Sequence, residues 1–192
     1  MRRHRRRLDA LTPYEEISAH YEAQWGPSLD ELRLDHGGMS KLDPEFAVHV
    51  FAPTADRPHW IYATCGMSCD LSRPSIELHM LIDSRRDREC AEILTATAWF
   101  HRARESLDLH HTVWFGRPWI DGSRLAFGLV SAPHVTPEIE LQSGAREVFH
   151  LWLLPITRAE RDLKMRDGIE AIEQRLEEAA IEYASPFRAS VV

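Results

Sequence analysis

The sequence predicts an α+β (mixed α/β) domain with one central, largely antiparallel or mixed sheet and helices packed on it. Three observations carry this. Thr12-Pro13-Tyr14-Glu15 and Thr157-Arg158-Ala159-Glu160 are both capping boxes, the signature of a helix start. Ile76 to Ile82 comes close to strict alternation of apolar and polar residues, the period of a strand. Leu151-Trp152-Leu153-Leu154 is wholly apolar, as suits a central strand covered on both faces.

The elements follow in order. Thr12 caps a helix with Pro13 at its first position. Tyr14, Ile17, Tyr21 and Trp25 recur at helical spacing, and Gly26-Pro27 ends it. Phe46 to Phe51 reads as a strand, Ala52 to His59 as a turn, and Trp60 to Thr64 as a second strand stopped by Gly66. In the third strand, Ile76, Leu78, Met80 and Ile82 share one face and Glu77 and His79 the other. A helix is expected over Asp87 to Ala103, with Ile93, Leu94, Thr97 and Phe100 buried. Thr112 to Phe115, Arg124 to Ser131 and Glu147 to Leu154 are strand candidates, and Pro155 should end the last. The closing helix places Leu163, Ile169, Ile172, Leu176 and Tyr183 on one face, with Gly168 inside it at a cost of about 1 kcal/mol.

The 192 residues, 44% hydrophobic and 28% charged, suit one globular domain and are too apolar for disorder. Such a chain buries about 70% of its unfolded surface and needs no staple. We expect a disordered basic arm over 1–11 and a single domain over 12–192. The run Met1-Arg2-Arg3-His4-Arg5-Arg6-Arg7 lacks a following apolar segment, so it is not expected to be a signal peptide, and no stretch suits a membrane span. A net charge of -7 makes nucleic acid an unlikely partner, since phosphate neutralisation needs a basic surface. Cys65, Cys69 and Cys90 form no Cys-x-x-Cys pair, which favours free thiols and a cytoplasmic location.

Candidates for chemistry are sparse. Glu77 and His79 share a strand face and in principle bind a metal or move a proton. The blander reading, which we take, is a solvent-facing polar side of an antiparallel strand. His110 and His111 are adjacent, so their side chains diverge on an extended segment. Cys65 is a nucleophile only with a histidine beside it, and is read as a small buried thiol. No phosphate-binding glycine loop exists. We therefore expect no catalytic residue, no metal and no cofactor. Six tryptophans are a high count, and Trp114 and Trp119 flank the turn Gly116-Arg117-Pro118. Exposed there, they resemble a binding hot spot; folded back, they are core lids.

Trp60-Ile61-Tyr62-Ala63-Thr64-Cys65-Gly66-Met67-Ser68 resembles the aromatic strand and Gly-Met-Ser turn of the suppressor of fused domain family. Glu77-Leu78-His79 is similar to its following strand. Leu154-Pro155-Ile156-Thr157, with Glu160, Lys164 and Gly168, resembles its strand-to-helix passage, and Arg188 to Val191 its Arg-x-x-Val close. The resemblance runs from about Tyr14 to the last residue and points to the short, stand-alone bacterial branch. Two departures are Cys65 where asparagine is common and Cys69 intervening before Asp70.

The resemblance implies a non-enzymatic protein-binding domain. The animal relative clamps an extended peptide of a transcription factor against its sheet, and bacterial members look like immunity proteins that neutralise toxins. The negative charge suits a basic toxin. The expected partner is thus a protein, either a toxin or a regulatory factor, bound through Tyr62, Gly66, Met67, Ser68, Asp70, Trp114 and Trp119. At the turn, the expected physical basis is unpaired backbone at the sheet's rim. The alternatives are an enzyme using the Glu77/His79 face or Cys65, and a regulator that binds a transcription factor or nucleic acid.

Overall fold

The computed structural model describes residues 11–34, 42–70, 72–133, 139–143 and 146–192. Apart from Leu11, the basic arm expected over 1–11 lies outside them. The elements run α1 (Pro13–Trp25), β1 (Asp30–Leu32), β2 (Ala47–Phe51), β3 (Trp60–Cys65), β4 (Ile76–Ile82), α2 (Asp87–Ala103), β5 (Thr112–Trp114), β6 (Leu125–Ser131), β7 (Ile139–Ser143), β8 (Arg146–Thr157), α3 (Arg158–Asp167) and α4 (Ile169–Glu178). This is the α+β fold the sequence predicts.

The sheet has the order β1-β2-β3-β4-β8-β6-β5, with β7 also paired to β8. β1 to β4 form an antiparallel meander. β8 joins it by a parallel pairing, Ile76 opposite Phe149 and His79 opposite Trp152. The other flank of β8 is long enough to carry β7 on its first half and β6 on its second.

Both faces of the sheet are covered. α2 packs over one, closing a core that includes Val50, Leu78, Met80, Leu94, Trp119 and Leu153. On the other, α1, α3 and α4 bury Tyr21, Phe51, Leu81, Trp152, Leu163 and Ile172. Both capping boxes form: Glu15 N–H donates to Thr12 Oγ1 at 3.2 Å and Glu160 N–H to Thr157 Oγ1 at 3.2 Å, each glutamate accepting from its cap in return.

Four sequence expectations need correction. The polar face of β4 is not solvent-facing: Glu77 is 0% exposed and His79 1%, because α1 covers that side too. β8 does not end at Pro155 but runs to Thr157, with Pro155 opposite Gly128. Proline removes one ladder donor, and its carbonyl still accepts from Arg188 Nη2 at 2.9 Å. The closing helix is two helices, broken at Gly168 with φ +96°. β1 and β7, which the sequence reading leaves as loops, complete the sheet.

The chain's last residues are tied into the core. Arg188 donates Nη1 to Glu160 Oε1 at 2.6 Å and Nη2 to Oε2 at 2.9 Å, a bidentate pair with both groups buried. Val191 N–H donates to the same carboxylate at 3.0 Å.

Candidate functional site

The turn after β3 is built around one carboxylate. Gly66 takes φ +102°, and a Cβ there would lie 3.3 Å from the Phe46 Cα, so the position suits glycine on both counts. A single 3₁₀ turn, Met67–Cys69, follows. Together they aim the Gly66, Met67 and Ser68 N–H groups at Glu77, at 3.1, 3.3 and 2.9 Å. The Thr64 and Ser68 hydroxyls donate to it at 2.6 and 2.7 Å. Burial pushes the Glu77 carboxyl above its ordinary value, against the pull of these bonds. Glu77 thus holds the turn in shape, and its acceptor capacity is spent on doing so. Part of the backbone expected to be unpaired at this rim is not: the amides at Gly66, Met67 and Ser68 all have a partner.

Apart from Asp70, the other sequence candidates near this turn also face inward. Tyr62 is 0% exposed; its hydroxyl donates to Asp87 Oδ1 at 2.7 Å and accepts from Arg86 N–H at 2.9 Å. It thereby tethers the first turn of α2, whose N-cap residue Arg86 supplies no side-chain bond. Gly66, Met67 and Ser68 are buried. Cys65 is 0% exposed, donates to the Tyr14 carbonyl at 3.5 Å, and burial pushes its thiol up, which disfavours the nucleophilic thiolate. Asp70 is partly exposed, accepts from Ser72 N–H and Oγ at 2.9 and 2.7 Å, and lies 3.8 Å from Arg102. The Ser72 bonds, with Arg102 and Arg73 nearby, hold its carboxyl below the usual range.

His79 packs 5.5 Å from the Trp25 ring, and burial pushes it down to about 4 against a backbone bond at Leu151. His150 stacks on His20 at 5.2 Å and is pushed down to about 3, first by burial and then by His20 and His79. Imidazoles so depressed are neutral at pH 7 and behave as aromatic filling beneath α1. Among the described residues no three His, Cys, Asp or Glu side chains are grouped to hold a metal. No local pattern marks this histidine layer, because its members come from α1, β4 and β8.

The two tryptophans part company. Trp119 is 1% exposed and lies in the α2-side core, whereas Trp114 is 63% exposed. Trp114 sits on β5, at one end of the sheet order. Phe115 N–H donates to the Ala126 carbonyl at 3.0 Å, so ladder alternation turns the Trp114 N–H and C=O away from β6, to an edge that no described strand covers. The candidates therefore do not form one surface. Turn 66–70 lies near the Ile76–Phe149 end of the parallel pair, while Trp114 is level with Ile156. Seven residues of β8, about 23 Å, separate the two levels.

Neighbours of Trp114 that the sequence did not reveal come from elements far apart in the chain. Trp114 faces Phe127 across the β5–β6 ladder, and the Arg158 and Arg161 guanidinium carbons sit over the Phe127 ring at 5.5 and 4.8 Å. Arg124 joins Arg158 in a hollow of about 310 Å³, with Thr157, Ala159 and Asp162 as its other walls. Among the described residues no helix is long and apolar enough to cross a membrane.

Comparison with known proteins bears on this arrangement. No curated protein sequence matches the chain. The crystal structure of a suppressor of fused homologue from Neisseria gonorrhoeae is similar at 26% identity and a TM-score of 0.81, over 94% of this chain and 97% of that one. A chain of the Sufu–Fu complex matches at 15% identity and a TM-score of 0.68, over 93% and 90%. Drosophila Suppressor of Fused matches at 15% and 0.63, over 93% of this chain and 50% of its own; these two likenesses are of fold. The family model for suppressor of fused protein matches residues 43–189, most of the described sheet and all of α2 to α4, and the chain belongs to the suppressor of fused family.

Proposed function

We propose that this chain is a non-enzymatic protein-binding module that acts as an immunity protein, covering the working surface of a toxin with the rim that carries β5 and Trp114. The observation that carries the reading is Trp114: a large aromatic, 63% exposed, on an edge strand whose backbone groups at that residue face outward. An exposed edge invites an extended partner segment, and a tryptophan beside it is the residue type that most often anchors an interface. The relative in the Sufu–Fu complex binds a protein, which supports the binding class. The toxin-neutralising role rests on the resemblance to the short bacterial members. The Glu77/His79 pair supports the enzyme alternative poorly, since the carboxylate is committed to the turn and the imidazole is in the core.

The test begins with the tagged protein as bait in its own cells, followed by calorimetry on the captured partner. Trp114→Ala should weaken binding by roughly 30-fold or more, the scale of a hot-spot loss, with an unchanged Tm. The partner expressed alone should arrest growth, and co-expression of wild type but not Trp114→Ala should restore it. Full affinity in Trp114→Ala with loss in Asp70→Ala would move the surface to the turn after β3. A partner without toxicity would leave a binding module but end the immunity role.

A further inference from the structure

We infer that the partner segment docking beside Trp114 is acidic, and that Arg124 and Arg158 receive its carboxylates. The inference rests on the reading of the β5 rim given above and adds the chemistry of what binds there. It starts from the sheet register. Trp114 and Phe127 are directly opposite in a pair flanked by the bonded pair at Phe115 and Ala126, the arrangement that brings side chains closest. Phe127 is 6% exposed and roofed by Arg158 and Arg161. Leu125 pairs with Thr157, which carries Arg124 to the start of α3 beside Arg158. One continuous surface thus runs from the exposed indole to the two arginines.

The charge of this surface is unbalanced. Arg124 and Arg158 are exposed, and among the described residues neither has a carboxylate within ion-pairing distance. Three arginines elsewhere are paired closely: Arg88 and Arg117 meet Glu92 at 2.8 and 2.6 Å, and Arg188 meets Glu160 at 2.6 Å. The acid in the hollow, Asp162, lies 3.1 Å from Arg161 and is engaged by it. Two arginines held in one hollow repel each other, and stacking on Phe127 limits how far Arg158 can retreat. A bound carboxylate removes that repulsion and meets guanidinium donors in the geometry they favour. The local sign is opposite to the net charge of -7, so the docking segment and the global field select for different features of the partner. A nucleic acid fits less well, because its phosphates would extend past this small patch into the field of an acidic protein.

The experiment uses the whole chain and calorimetry at about 50 mM salt, where exposed charges still interact. The probes are an oligoglutamate of about ten residues, its oligoglutamine counterpart and an oligothymidylate of similar length. Wild type should bind oligoglutamate and not oligoglutamine, and affinity should fall as salt rises. Arg124→Glu/Arg158→Glu should weaken oligoglutamate about tenfold or more, while Arg175→Glu, on α4, should leave it unchanged. The double variant should also lose the natural partner. Several results overturn the inference: no oligoglutamate binding by wild type, equal binding by the double variant, tighter binding of oligothymidylate, or a wild-type dimer that the double variant abolishes. Partner binding that survives the double variant but not Trp114→Ala sinks the acidic chemistry and leaves the rim standing. Partner binding that survives Trp114→Ala sinks the rim itself.

Discussion

Glu77 and Glu160 are both 0% exposed, yet the fold treats them in opposite ways. Glu77 is cradled by neutral donors, two hydroxyls and three amides. Glu160 faces a guanidinium in a bidentate pair and takes two further amides, from Thr157 and Val191. Burial raises Glu77, and the neutral bonds do not reverse it. Burial pushes Glu160 up as well, but the Arg188 bonds and charge more than reverse that, and it titrates below the ordinary carboxylate value. Around Glu77 the neutral donors offset only part of the desolvation of the charge, whereas around Glu160 the added cation more than offsets it. One carboxylate shapes a turn and the other fastens the end of the chain to α3.

The largest effect should come from breaking the charged pair. Arg188→Ala leaves a buried, uncompensated carboxylate and should cost about 3–5 kcal/mol, read as a large fall in the urea midpoint at pH 7. The pH dependence sharpens the contrast. The folded value of Glu160 is depressed, so its contribution is present above the unfolded value of about 4.3 and is lost as pH falls through the folded value. The gap between wild type and Arg188→Ala should therefore be widest near neutrality and shrink as Glu160 takes up a proton. A gap constant from pH 7 to the acid limit would show that the loss is one of packing.

Glu77→Gln should cost less, about 1–3 kcal/mol, because it replaces one acceptor oxygen by a donor that faces the amides of the turn. The sign with pH is reversed. Glu77 has a raised folded value, so its charge opposes folding at neutrality, and the penalty is relieved as pH falls through that value. Denaturant midpoints across the acid range should show wild type gaining on Glu77→Gln in this window. The smallest effect belongs to the cap beside Glu160: Thr157→Ala should cost about 1 kcal/mol, and an unchanged midpoint would mean that the Glu160–Arg188 pair alone fixes the start of α3.

How much of this was legible depended on whether the signal was local. α1, β4 and α2 have the bounds that periodicity and caps predict, since each buries its own regular stripe or alternation. β1 is three residues without an apolar pattern and exists through its pairing with β2, which no local reading supplies. Pro155 misled because the missing donor suggested a stop, while the bond from Arg188, thirty-three residues on, lay out of view. Glu77 and His79 misled for a related reason: alternation separates two faces but does not say that helices cover both. At the candidate site the sequence picked out Trp114, but not the arginines that lie over its ladder partner Phe127.

The parallel pairing of β4 with β8 also governs how the chain can assemble. β1 to β4 form between neighbours in sequence, as do the β5–β6 and β7–β8 pairs. Among the described strands the β4–β8 seam joins these two groups of hairpins, and it closes across about 70 residues. Loop-closure entropy makes a contact of this range slow to gain, so the seam is expected to form late. Until the seam zips, Leu78 and Leu151 present bare strand edges to other chains, and crowding during synthesis is then the chief hazard to the yield of folded protein.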